Sequence, residues 1–182
     1  MPESYGQSIS NLNTIRVSAG YPDYPDGTYH GGMDTVIANN EVYAPRSGEV
    51  IRAHVWQGGT EPGTTDAWGN YILVEFSPNK YWLAAHFESQ IWSVGDRVTK
   101  GDFIGTQGAT GNVTGPHTHW EYWNGGQNTS YRRDPSIVIG IPSDVGRYNI
   151  YWNAGEPPIP GGGGSLPWWI LKKIKNKKRR GY

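Results

Sequence analysis

The sequence has no cysteine, so neither a disulfide framework nor thiolate metal ligation is open to it, and any transition metal must be held by His and carboxylates. It also has no apolar run of about 18 residues, the length a membrane-spanning helix needs. The segment Met1-Pro-Glu-Ser-Tyr-Gly-Gln-Ser-Ile-Ser10 has no basic stretch followed by an apolar one, so no signal peptide is expected. Charged residues are sparse at 18%, while Gly (26) and Pro (13) are plentiful. Long helices draw on Ala, Glu, Leu and Lys, so this composition predicts strands and turns.

The 182 residues suffice for one domain with a real core plus appendages. The net charge of zero conceals a split. Residues 166–182 carry seven Lys/Arg and no acid, which leaves nine basic against 16 acidic residues elsewhere, a net of −7. Charge segregated in this way implies two units with different targets.

From about Thr35 to Tyr122 the chain reads as short strands, among them Glu49–Trp56, Asn70–Phe76 and Lys80–Phe87, split by breakers such as Arg46-Ser-Gly48 and Ser77-Pro-Asn79. The expected fold is all-β: an antiparallel β-sheet core with long loops forming an open groove, and a flexible C-terminal tail. Residues 136–160 are expected to wrap the domain as an irregular extension. Gly161-Gly-Gly-Gly-Ser165 has linker composition and reads as an engineered joint.

Only five histidines occur, and four fall into patterns. His30 and Asp34 form an H-x-x-x-D pair whose two intervening glycines argue against a helix and for a loop entering the strand Thr35-Val-Ile37. His117 and His119 flank Thr118 in a predicted strand, so both imidazoles point to one face. Either pair alone is more often an ordinary surface feature than a site. Together they offer two His and one carboxylate, a frequent ligand set for catalytic zinc with an open fourth position. The spacing leaves open which of His117 and His119 is the ligand. His54 lacks convergent partners and is read as a strand residue, and Asp96 and Asp102 as turn residues.

An ordered series of segments is more specific: His30-Gly-Gly-Met-Asp34, Val42–Val50, Val94–Gly105 and Gly108–Glu121. It resembles the lysostaphin/LytM-type zinc metallopeptidases over roughly residues 28–135. The resemblance implies that His30, Asp34 and His119 bind Zn2+, that His86 and His117 are non-ligand catalytic histidines, and that a loop Tyr assists the oxyanion. Tyr24 is preferred for that role over Tyr21. It further implies a peptidoglycan endopeptidase acting on stem peptides or cross-bridges of the bacterial cell wall; a monomer is expected. A non-catalytic wall-binding module of the same fold is the alternative, disfavoured because all five metal and histidine positions are filled. Where the family commonly has Tyr-x-His-Leu and His-Leu-His-Phe, this chain has Ala84-Ala-His86-Phe87 and His117-Thr-His-Trp120, changes expected to reshape the groove wall.

The resulting organisation is an N-terminal segment (1–27), a metallopeptidase domain (28–135), the extension (136–160), the linker (161–165) and a cationic tail (166–182). Trp168, Trp169, Ile170, Leu171 and Ile174 ahead of the cations make the tail an interfacial, membrane-seeking peptide. Its expected partner is an anionic bacterial surface, and nucleic acid is not expected as its main target. The absent signal peptide fits a phage lysin released to the wall, or a protein added from outside.

Overall fold

The computed structural model describes residues 9–10, 14–59 and 65–149. The linker, the tail and the end of the extension lie outside the described residues.

Eleven strands form one sheet in which every pairing is antiparallel. They are β1 (Thr14–Ala19), β2 (Met33–Val36), β3 (Glu41–Tyr43), β4 (Gly48–His54), β5 (Asn70–Ser77), β6 (Lys80–Gln90), β7 (Arg97–Val98), β8 (Phe103–Gln107), β9 (Thr118–Asn124), β10 (Arg132–Arg133) and β11 (Gly146–Asn149). The main order is β11-β1-β2-β9-β6-β5-β4-β7, with β10 on β9 and β8 linking β6 to β3. One α-helical turn, α1 (Ser136–Ile139), occurs among the described residues. The all-β expectation holds.

The extension is less irregular than its sequence implied. α1 buries Val138 and Ile139, and β11 pairs with β1 from Thr14↔Asn149 to Val17↔Gly146. A four-residue strand has too little periodicity to stand out in sequence. Its stability comes from a partner more than a hundred residues away.

The central strand β9 separates two faces. Trp120 and Tyr122 join Trp82, Ala84, Phe87, Ile72 and Val74 in the main core, while Leu83, Ala85, Tyr71, Leu73 and Trp123 form a smaller cluster under the opposite face. Burying each large apolar side chain contributes roughly 1.5–3 kcal/mol. The buried indoles keep partners for their N–H groups: Trp120 donates to Thr35 Oγ1 (2.8 Å) and Trp92 to the Phe103 carbonyl (3.0 Å).

This two-faced arrangement corrects one expectation. Ala84, Phe87, Thr118 and Trp120 have no exposed surface and lie in the interior, on the side away from the groove. The departures from the family pattern therefore fall in the core and not in the groove wall. They also carry a cost, because the buried Thr118 hydroxyl finds no hydrogen-bond partner among the described residues. Thr118→Val keeps the shape and removes the orphan, so it should stabilise the fold by about 1 kcal/mol. Urea titration reads this directly, and a destabilised variant would contradict it.

Candidate metal centre

Register builds the centre. Asp34 on β2 and Ala85 on β6 both stand opposite His119 on β9, so a carboxylate and an imidazole from segments 85 residues apart project side by side. His30 arrives from the loop before β2. Gly32 makes this approach possible, since a Cβ there would collide with the His119 ring.

Hydrogen bonds assign the tautomers. His30 donates Nδ1–H to the Gly20 carbonyl (2.8 Å), which leaves Nε2 as a lone pair. His119 donates Nε2–H to Glu121 Oε1 (3.1 Å), which leaves Nδ1. Those two lone pairs and Asp34 Oδ1 converge at 3.0, 2.8 and 3.1 Å from one another. Three lone pairs this close repel unless a proton or a metal cation stands between them. Two imidazoles and one carboxylate are a frequent donor set for catalytic zinc, so the residues present fit that ion. His30, Asp34 and His119 are the group that can hold a metal ion among the described residues.

Ionisation shows the same demand for positive charge. Burial opposes a charge on His119, yet hydrogen bonds to Asp34 and Glu121 lift its pKa to about 9. Asp34 is penalised by burial but held far below the usual carboxylate range by His119 and His30. A bound cation supplies that charge and displaces the proton.

Glu121 is a candidate site residue that sequence reasoning passed over. It is buried, and besides His119 it receives Trp68 Nε1–H (3.0 Å), Trp123 Nε1–H (2.6 Å) and Arg132 Nε–H (2.6 Å). Burial alone would raise its pKa, but the bonds from His119 and Arg132 bring it down to about 2. It remains a carboxylate and fixes the ring of His119, a histidine that can ligate a metal, the usual role of such an outer partner. The available signal was the alternation 117, 119, 121 along one strand face.

His86 and His117 stand beside the cluster with rings 4.8 Å apart. His86 donates Nδ1–H to the Thr110 carbonyl (2.8 Å) and His117 to the Gly115 carbonyl (2.8 Å), so both keep Nε2 as an acceptor. His117 Nε2 is 3.6 Å from Asp34 Oδ2. Burial, reinforced by neighbouring histidines, lowers His86 to about 3. Burial also lowers His117.

Tyr24 stacks on His30 with ring centroids 4.0 Å apart. Burial and the charges of Asp34 and Asp26 raise its phenol to about 12. Tyr24, Asp34, His86 and His117 line one cleft of about 520 Å³ together with Asn112, Val113 and Thr114. Tyr21 does not line it and faces Tyr29, Arg133 and Asp134 instead. A larger hollow of about 660 Å³ beside β7 has no histidine in its walls, so size does not select the site. His54 lies outside the cleft, its Nδ1 against the Gly69 carbonyl and its ring stacked on Tyr71. Asp96 and Asp102 accept backbone N–H bonds from Ser93 and Thr99, as turn residues do.

Comparison with known proteins places the chain in a family. The model of Peptidase family M23 matches residues 28–131. The peptidoglycan DD-endopeptidase ShyC of Vibrio cholerae is 40% identical over 122 residues, 66% of this chain and 25% of that protein. Lysostaphin of Staphylococcus simulans is 30% identical over 139 residues, 72% of this chain and 26% of that protein. The chain thus spans about a quarter of the length of these relatives. The catalytic domain of lysostaphin superposes with a TM-score of 0.60 at 26% identity, covering 76% of this chain and all of that domain. The family match runs over more than half of the chain and over the same loops and strands that bring the three ligand atoms together, and it makes this chain a member of Peptidase family M23, a family of zinc metallopeptidases.

Proposed function

We propose that this chain is a zinc-dependent endopeptidase that hydrolyses peptide bonds in the stem peptides or cross-bridges of bacterial peptidoglycan. The observation that carries this reading is the convergence of three lone pairs beside a cleft into which two further imidazoles present free Nε2 atoms. Zinc held by His30, Asp34 and His119 would supply Lewis-acid polarisation of the scissile carbonyl and make water acidic enough to deprotonate near neutral pH.

The chain's own groups handle the protons. His86 and His117 begin as acceptors because their Nδ1 protons are committed to backbone carbonyls. The one that takes the attacking water's proton becomes the donor the leaving amine needs. Tyr24, with its pKa near 12, stays a phenol and donates to the developing oxyanion. The open cleft suits a thin, extended peptide. Digestion of purified peptidoglycan followed by mass spectrometry tests the reading: one class of new N-terminus is expected, and intact wall peptides would sink it.

The tail is proposed to act separately, as the membrane-seeking part of a fusion. Each Lys or Arg adds about 1 kcal/mol of attraction near an anionic surface, and the Trp pair anchors at headgroup level. The full chain and residues 1–160 should hydrolyse isolated wall equally. On intact Gram-negative cells the full chain should have a salt-sensitive advantage, and equal killing by both forms would reduce the tail to a tag.

A further inference from the structure

His86 sits on a backbone defect. β5 and β6 pair Asn70↔Phe87 and Ile72↔Ala84, so Tyr71 alone faces two residues, Ala85 and His86. This is a β-bulge, and His86 takes φ 64°, a conformation non-glycine residues rarely adopt. Ala85 lies under the groove and Phe87 in the main core, so the strand's alternation carries one extra residue. That residue is His86. In an unbroken strand it would follow Ala85 onto the core face; the bulge turns it to the metal side, beside His117 and His119.

A bulge leaves ladder groups to be satisfied from elsewhere, and here one side chain does much of this. The Thr110 hydroxyl accepts Asn70 N–H (2.9 Å) and donates to the Phe87 carbonyl (2.9 Å). Asn70 adds its own Nδ2–H bonds to the carbonyls of Phe87 (2.8 Å) and Glu88 (3.1 Å). The carbonyl of the same Thr110 accepts His86 Nδ1–H. Thr110 belongs to the loop that carries His117, closed by the bridge between Gly108 and His117. Gly69 lies against it so tightly that a Cβ there would collide with the Thr110 backbone.

We propose that Thr110 is a positioning residue for proton transfer: its hydroxyl plugs the β5–β6 bulge while its carbonyl sets the tautomer and direction of His86, so that bulge, loop and both histidines move as one unit. The proposal rests on the endopeptidase reading above for its kinetic consequence, but its structural part is independent of that reading.

The test uses the full chain and compares Thr110→Val with Thr110→Ser. Thr110→Val keeps the shape and loses the hydroxyl, so zinc content and KM should stay as in the parent while kcat falls on the order of 10²-fold, the effect of misplacing a reacting group by about 1 Å. Thr110→Ser restores the hydroxyl and should bring kcat back to within about threefold of the parent. Nitrogen NMR of the His86 ring should show the Nδ1–H tautomer in the parent and in Thr110→Ser, and tautomer exchange in Thr110→Val. A Thr110→Val protein with a lower melting temperature but unchanged kcat and an unchanged His86 tautomer would overturn the proposal. If the parent hydrolyses no wall peptide, the endopeptidase reading fails, and the NMR comparison still decides whether Thr110 holds His86.

Discussion

His119→Ala is expected to remove zinc and wall hydrolysis together. Two of three protein ligands would remain, and on a scale where structural zinc sites are worth about 10–16 kcal/mol, losing one ligand should weaken binding on the order of 10²–10³-fold. The substitution also leaves Asp34 and Glu121 without the imidazole between them, two buried carboxylates with less to hold their charge. Chelator competition followed by elemental analysis measures the loss, and a variant that holds zinc as the parent does would remove His119 from the ligand set. Glu121→Gln should give a graded version, because the side chain keeps its size and an acceptor oxygen but loses its charge. The expected change is about 10–100-fold in zinc affinity, together with a loss of stability, because the half-buried Arg132 loses its charge partner.

His86→Ala and His117→Ala are expected to part company with that result: both should keep zinc and lose on the order of 10²-fold or more in turnover. The structure leaves their Nε2 atoms outside the three-atom cluster, though His117 is the closer, 3.6 Å from Asp34 Oδ2. Zinc loss in His117→Ala alone would mean that the two members of the H-x-H pair had been exchanged. Both histidines have pKa values below the ordinary range, so they stay neutral acceptors at pH 7. Falling pH protonates them and removes the acceptor, so the rate should decline on the acid side, and the variants' residual rate should lack that limb. Tyr24→Phe should cost more rate than Tyr21→Phe, since only Tyr24 lines the cleft.

Several of these residues were legible before any fold was known. Period-two alternation placed His117 and His119 on one face, and the same parity extends to Glu121, whose burial and four donors no local signal revealed. Parity also puts Thr118 and Trp120 on the other face, which is why the departures at those positions fell in the core and not in the groove wall. Strand patterning placed β4, β5 and β6 within a few residues of their bounds. The short strands β10 and β11 escaped, because segments of two and four residues carry no usable period.

By itself the sequence determined the class of fold, the exclusion of thiolate ligation, the separation of an acidic domain from a cationic, Trp-bearing tail and, through its ordered motifs, the likeness to zinc peptidases. Those are properties of composition and local order, which survive without tertiary contacts. Only the tertiary structure decided that His119 Nδ1 meets His30 Nε2 and Asp34 Oδ1, that Glu121 and Arg132 stand behind it, and that a bulge turns His86 out of the core. Each of these depends on the register between distant strands, and register is set by the summed pairing and burial of whole strands, a quantity no single segment contains.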